Sequence, residues 1–139
     1  MSKESFVLSD YERGFLEAGI DFEGCIGLYK HIRKCGKGFS WEAMVTIDNT
    51  NRDILEKVKL ICHGKGCIST THNVYGAVYH YRIPVMILRD ILPQLSLVIK
   101  ERKRQLLLTA LCYLRQGSHD NHDEYLELIS NDIKEADSK

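Results

Sequence analysis

Three sets of residues in this 139-residue chain are of types that do chemistry. Cys62, His63 and Cys67 are zinc-ligand types, but a structural zinc takes four such groups and no fourth Cys or His stands at ligand spacing. The second set is basic: Lys30-His31-Ile32-Arg33-Lys34 with Lys37, and Lys100-Glu101-Arg102-Lys103-Arg104, each either a phosphate-binding cluster or a solvated face. The third is a pair of acids at element ends, Glu23 closing one segment and Asp48 preceding another. A carboxylate there is a hard-oxygen ligand for Mg²⁺, or else a solvated helix-terminal acid or an N-cap.

Composition narrows the context. At 44% hydrophobic residues the length suits one ordinary domain, spanning 1–139. No apolar run reaches the roughly 20 residues of a membrane span, and the start MSKESFVLSDYERGF lacks a signal's apolar core. Five scattered cysteines, an odd number, read as free thiols in a reducing compartment. The chain is therefore expected to be intracellular, either cytoplasmic or, if organelle-encoded, organellar. Net charge is zero, yet the charges are segregated: residues 118–139 hold seven acids and two bases, leaving 17 bases against 12 acids before them. A basic body with an acidic tail keeps nucleic acid among the partners.

The elements that must position these groups follow from local signals. Ser9-Asp10-Tyr11-Glu12 has capping-box form, predicting a helix from Asp10 to about Phe22 with Gly24 as its stop. Cys25 to Arg33 alternates as a strand with Ile26, Leu28 and Ile32 inward; Gly36-Lys37-Gly38 turns; Phe39 to Asp48 alternates back with Phe39, Trp41, Ala43, Val45 and Ile47 inward. Ile54, Leu55, Val58 and Ile61 recur at helical spacing, and a second hairpin pairs residues 66–73 with 77–83 around Val74-Tyr75-Gly76. A short helix over 85–92, a longer one over 97–116 with Ile99 in its apolar stripe, and an amphipathic helix over about 121–136 complete the chain. The order is αββαββα plus C-terminal helices: an α+β fold with an antiparallel four-stranded sheet, a core of about 10–115 and an acidic helix within about 119–137.

With the helices on one face, the other is left open. It carries Tyr29, His31, Arg33, Ser40, Glu42, Met44, Thr46, Ser69, Thr71, Asn73, His80 and Arg82. Long polar side chains with bases and aromatics among them suit base-edge readout, or a solvated face.

The segment Leu16-Glu17-Ala18-Gly19-Ile20-Asp21-Phe22-Glu23-Gly24 resembles the nine-residue sequence that names the LAGLIDADG homing endonucleases, with Leu, Ile, Asp and Gly at positions one, five, six and nine and an acid at eight. Its context resembles theirs as well: it ends an N-terminal helix and is followed by ββαββα, with Thr46-Ile47-Asp48-Asn49-Thr50-Asn51 and Val98-Ile99-Lys100-Glu101-Arg102 in place. Departures are Glu17 for a small residue, Gly19 for an apolar one, and Glu23 for aspartate.

The resemblance implies a metal-dependent double-strand DNA endonuclease with the open sheet face as a DNA-binding saddle. One copy of the motif implies a homodimer on a pseudo-palindromic site. Small residues Gly14, Ala18 and Gly19 would let two motif helices approach closely. Glu23 and the Phe22 carbonyl would hold Mg²⁺ or Mn²⁺. Asp48 would act through water or metal beneath the sheet, or cap the second helix. Lys100 would stand by the scissile phosphate, with Asn51 or Arg52 nearby. Base contacts would come from Tyr29, His31, Arg33, Ser40, Glu42, Met44, Ser69, Thr71, His80 and Arg82, and a uniform phosphate contact from Lys103. An intron-encoded enzyme is expected; alternatives on the same scaffold are an intron RNA-splicing maturase and a cleavage-dead DNA-binding regulator.

Overall fold

The computed structural model of the chain describes residues 6–32, 39–115 and 123–136. Arg33 and the turn at 36–38 lie outside the described residues. The elements are α1 (Asp10–Glu23), β1 (Gly24–Ile32), β2 (Phe39–Asn49), α2 (Arg52–Ile61), β3 (Ile68–Asn73), β4 (Gly76–Arg82), α3 (Val85–Ile91) with a 3-10 turn at Leu92–Gln94, α4 (Glu101–Arg115) and α5 (Asp123–Ala136). The α+β expectation holds: the strands form one sheet in the order β1-β2-β4-β3, with β4 antiparallel to both its neighbours. No described helix is long and apolar enough to cross a membrane.

The chain divides into two compact units, residues 1–25 with 45–99 and residues 26–44 with 100–139, and β2 contributes to both. In the first unit α1 begins at the capping box, Ser9 Oγ accepting from the Glu12 N–H at 3.1 Å while the Glu12 carboxylate accepts from the Ser9 N–H at 2.9 Å. Those bonds hold the Glu12 carboxyl below its ordinary range. Leu16 and Ile20 of α1, Val45 and Ile47 of β2, Leu55, Val58 and Ile61 of α2, and Tyr81 of β4 are all buried in the core. The Tyr81 hydroxyl donates to the Lys65 carbonyl at 2.6 Å, and burial raises both its pKa and that of the Cys62 thiol, keeping both protonated. Cys25, Cys62, Cys67 and Cys112 are free thiols.

In the second unit Ile26 and Leu28 of β1 and Ala43 of β2 are buried, as are Leu107, Ala110 and Leu111 of α4 and Leu126, Ile129 and Ile133 of α5. Alternation thus holds over most of the hairpin, but Ile32, expected inward, is 75% exposed where the described strand ends. The acidic tail is built in: Asp123 accepts from Trp41 Nε1 at 2.8 Å and pairs with Lys30 at 3.3 Å, and Ser130 Oγ donates to the Leu28 carbonyl at 2.8 Å.

Two expectations about the 97–116 helix are corrected. It starts at Glu101, and the segment just before it is tied to α1, the Asp21 carboxylate accepting the Val98 and Ile99 N–H groups at 2.8 and 3.1 Å. Ile99, assigned to the apolar stripe, is 63% exposed. Lys103, expected to reach phosphate, is buried at 5% exposure, and buried Arg104 forms a double hydrogen bond to Glu101, both at 2.6 Å. Lys103 falls on the same helical stripe as the buried Leu107 and Leu111.

Candidate functional site

Helix α1 delivers Glu23 as its last residue. The Gly24 N–H bonds back to the Ile20 carbonyl as C-cap, and a Cβ at Gly24 would lie 2.7 Å from Ile20 Cα, so only glycine lets the chain pass directly from helix into β1. Glu23 and Phe22 are both exposed, and no described side chain pairs with the Glu23 carboxylate. The last turn of α1 contains no base. A carboxylate at the negative end of a helix dipole, with unpaired carbonyls beside it, is an electrostatically unfavourable arrangement that a cation relieves. One carboxylate and one carbonyl fit part of a Mg²⁺ shell whose remaining positions are water, substrate oxygens or a second carboxylate. Among the described residues no cluster of three or more His, Cys, Asp or Glu offers a complete site within one chain.

The motif's other residues are spent inside the first unit. Asp21, 7% exposed, anchors the backbone just before Lys100 through the Val98 and Ile99 bonds. Glu17, the first departure, accepts the Ser96 N–H at 2.6 Å. Gly19, the second, is half-buried, and a Cβ there would sit 3.6 Å from Ile47 Cδ1, an ordinary van der Waals contact. Gly14 and Ala18 are exposed, and a Cβ at Gly14 would meet nothing within 4 Å. Ala18 and Phe22 line a surface hollow with Val98 and Ile99, whose exposures are 90% and 63%. Asp21→Asn is expected to destabilise the chain by about 1–3 kcal/mol, since the amide NH₂ would confront one of the two N–H groups. A urea midpoint equal to that of the parent chain would show that Asp21 does not clamp this segment.

Lys100 is half-buried, and its carbonyl accepts the Arg104 N–H at 3.0 Å, placing it at the N-cap position of α4. Helix α2 is capped by Asn51, whose side chain accepts the Asp53 N–H at 3.0 Å; Asp48 is not the cap. Arg52 pairs with Glu56 at 3.2 Å and lies over the Tyr79 ring. Asp48 stands on the open face of the sheet. Its register pairs it with His80, while Ile47 pairs with buried Tyr81, so Asp48 shares the open face with His80 and Arg82. Asn49 takes the covered side with Ile47, and its side chain accepts the Asn51 N–H at 2.8 Å.

The open face is polar in both units. In the first unit it carries Thr46, Asp48, His80 and Arg82 with Ser69, Thr71 and Asn73. His80 Nδ1 lies 2.6 Å from Asp48 Oδ1 and Nε2 lies 2.7 Å from Thr71 Oγ1. In the second unit His31 Nε2 lies 2.6 Å from Glu42 Oε2, Ser40 is exposed, Met44 is half-buried and Tyr29 is 38% exposed. The Tyr29 ring folds back over Gly27, where a Cβ would collide with it. Both histidines expected as base contacts are thus tied to carboxylates, a pairing that the separation of 32 residues between Asp48 and His80 hides from local sequence patterns.

No protein-family model matches the chain, and no curated protein sequence matches it significantly. Solved structures do resemble it. An archaeal intron-encoded homing endonuclease, I-Vdi141I, complexed with DNA, has a TM-score of 0.77 at 19% identity over 91% of this chain and 84% of its own. The homing endonuclease I-CvuI, bound to a target DNA that is not cleaved in 2 mM Mg, has 0.74 at 17% over 91% and 82%. I-SmaMI, bound to uncleaved DNA with calcium ions, has 0.76 at 21% over 93% of this chain but only 46% of its own. The fold is that of the LAGLIDADG homing endonucleases, the class named for another similar structure, I-GzeII with its DNA target, at a TM-score of 0.64, 17% identity, and coverage of 76% of this chain and 37% of its own.

Proposed function

We propose that the chain is a site-specific double-strand DNA endonuclease, intron-encoded, that works as a homodimer and hydrolyses phosphodiesters with Mg²⁺ or Mn²⁺. The observation that carries this reading is Glu23: an exposed carboxylate, unpaired by any described side chain, held by a glycine cap at the end of a helix whose last turn lacks a base. Glu23 and the Phe22 carbonyl would hold the metal, which supplies an activated water and charge stabilisation at the scissile phosphate. Lys100, set by the Asp21 clamp on its preceding backbone, would offset charge developing on that phosphate. The open sheet face would lie in the DNA major groove, and similar structures bound to DNA support that docking.

Matching less than half of I-SmaMI supports a homodimer, since two such chains make up the length of that protein. The maturase alternative is weakened by the burial of Lys103 and Arg104, which removes two bases from the surface it needs.

The direct test is a cleavage selection from a randomised duplex library, run with Mg²⁺, with Mn²⁺ and with excess chelator. A single long, nearly palindromic sequence cut on both strands in either metal, and intact in chelator, is the expected result. Enrichment of a bound sequence that is never cut would identify a regulator instead.

A further inference from the structure

Asp48, His80 and Thr71 form a hydrogen-bonded chain across three adjacent strands of the first unit. Asp48 of β2 stands directly opposite His80 of β4, and Thr71 of β3 reaches the same ring from the diagonal. The two links, 2.6 and 2.7 Å, are short and occupy both ring nitrogens. An ionised carboxylate only accepts, so Nδ1 must carry the proton toward Asp48. In the neutral ring Nε2 then accepts the Thr71 hydroxyl proton. His80 has no hydrogen-bonding group left for a base.

What the chain turns outward is therefore set by its ends. Asp48 Oδ2 has no partner among the described residues, on a side chain 48% exposed, and the Thr71 oxygen keeps lone pairs at an exposed position. Both are acceptors. Resting on the DNA-endonuclease reading above, we propose that Asp48, His80 and Thr71 form one preorganised base-reading unit, in which the Asp48 carboxylate accepts from the exocyclic amine of a cytosine in the major groove and His80, its ring held in turn by Thr71, is the positioning residue.

The choice of base follows from the major-groove pattern. Cytosine presents only its N4 amine there; guanine and thymine present acceptors, which a carboxylate repels; adenine sets its N7 acceptor beside its amine, a pattern that suits the paired donor and acceptor of an amide rather than a carboxylate. Holding Asp48 from the side through His80 removes the rotamer freedom that would otherwise be lost on binding. The cross-strand pairing gives the carboxylate a fixed direction that an isolated aspartate on a strand would lack.

The test is a binding selection from randomised duplexes in chelator, so that nothing is cut, for the full chain and for Asp48→Asn, Thr71→Val and His80→Ala. The parent chain should enrich cytosine at one position of each half-site. In Asp48→Asn the amide oxygen takes the His80 proton and the NH₂ faces out, so preference at that one position should move to guanine or thymine, with discrimination for cytosine falling about tenfold. Thr71→Val and His80→Ala should weaken the cytosine preference at the same position and leave the rest of the site unchanged, which a merely structural role would not do. Identical sequence preferences in the parent chain and Asp48→Asn, or a uniform loss at every position in Thr71→Val and His80→Ala, would overturn the assignment. A parent chain that enriches no sequence at all would overturn the DNA-recognition reading, and this unit with it.

Discussion

Glu23→Gln is expected to abolish cleavage while DNA binding stays as tight as in the parent chain or becomes tighter. The substitution keeps the size and the hydrogen-bonding capacity of the side chain but removes the charge that would hold a divalent cation, and a two-metal displacement draws several kcal/mol of its acceleration from that cation. At 1.36 kcal/mol per tenfold, the cleavage rate in Mg²⁺ should fall by about three orders of magnitude or more. Binding should not suffer, because a carboxylate beside the DNA backbone repels phosphate whenever no metal lies between them. Folding should not suffer either. Glu23 stands at the negative end of the α1 dipole with no described partner, so neutralising it relieves rather than breaks an interaction, by about 0.3–1 kcal/mol. Cleavage time courses in Mg²⁺, equilibrium binding in chelator and a thermal melt separate the three effects. Substantial residual cutting with an intact melt would remove Glu23 from the metal site, and weakened binding would mean that its role is to position the DNA.

What could be read from the sequence was whatever is encoded within a few residues. The capping box at Ser9 and Glu12, the glycine stop at Gly24 and the inward row Ala43, Val45, Ile47 depend on neighbours in the chain, and each element forms where they place it. That same row already assigns Asp48 to the opposite, open face, where the structure has it. Burial of Lys103 was legible too, since it stands four residues before Leu107 and eight before Leu111 on one helical stripe, but five charged residues in a row conceal the stripe. The start of α4 was not legible. The segment before it is tied to Asp21, 77 and 78 residues away, a tie that no local pattern shows. The Glu17 departure from the motif likewise acquires a reason only from Ser96, which no local pattern brings near it. The ties of His31 to Glu42 and His80 to Asp48 are cross-strand pairs, so the sequence could name the open-face residues without showing that they act in pairs.

Gly14→Leu and Ala18→Leu are expected to convert a dimer into monomers and, with it, to end double-strand cleavage. Within one chain neither change has anything to disturb. Ala18 is exposed, and a Cβ at Gly14 meets nothing within 4 Å. Replacing a glycine inside a helix by leucine even favours the helix by about 0.5–1 kcal/mol. A stable protomer with a lost activity would therefore locate the loss between chains. The reason to expect it lies in the exposed surface around these positions. Phe22, Val98 and Ile99 are 73%, 90% and 63% exposed, and the small residues at 14 and 18 leave the α1 backbone open to close approach by another helix. In an isologous contact each substitution occurs twice near the two-fold axis, and overpacking a fitted contact costs about 1–3 kcal/mol. That range raises the dimer dissociation constant by about fivefold to 150-fold. Sedimentation across a concentration series should show the shift, thermal melts should stay level or rise, and plasmid substrate should remain uncut at protein concentrations where the variants are monomeric. A parent chain that sediments as a monomer and still cuts both strands would contradict the two-fold arrangement. A variant that remains dimeric would move the contact from the Gly14 and Ala18 face to the Val98 and Ile99 hollow, where Ile99→Asp becomes the substitution expected to separate the chains.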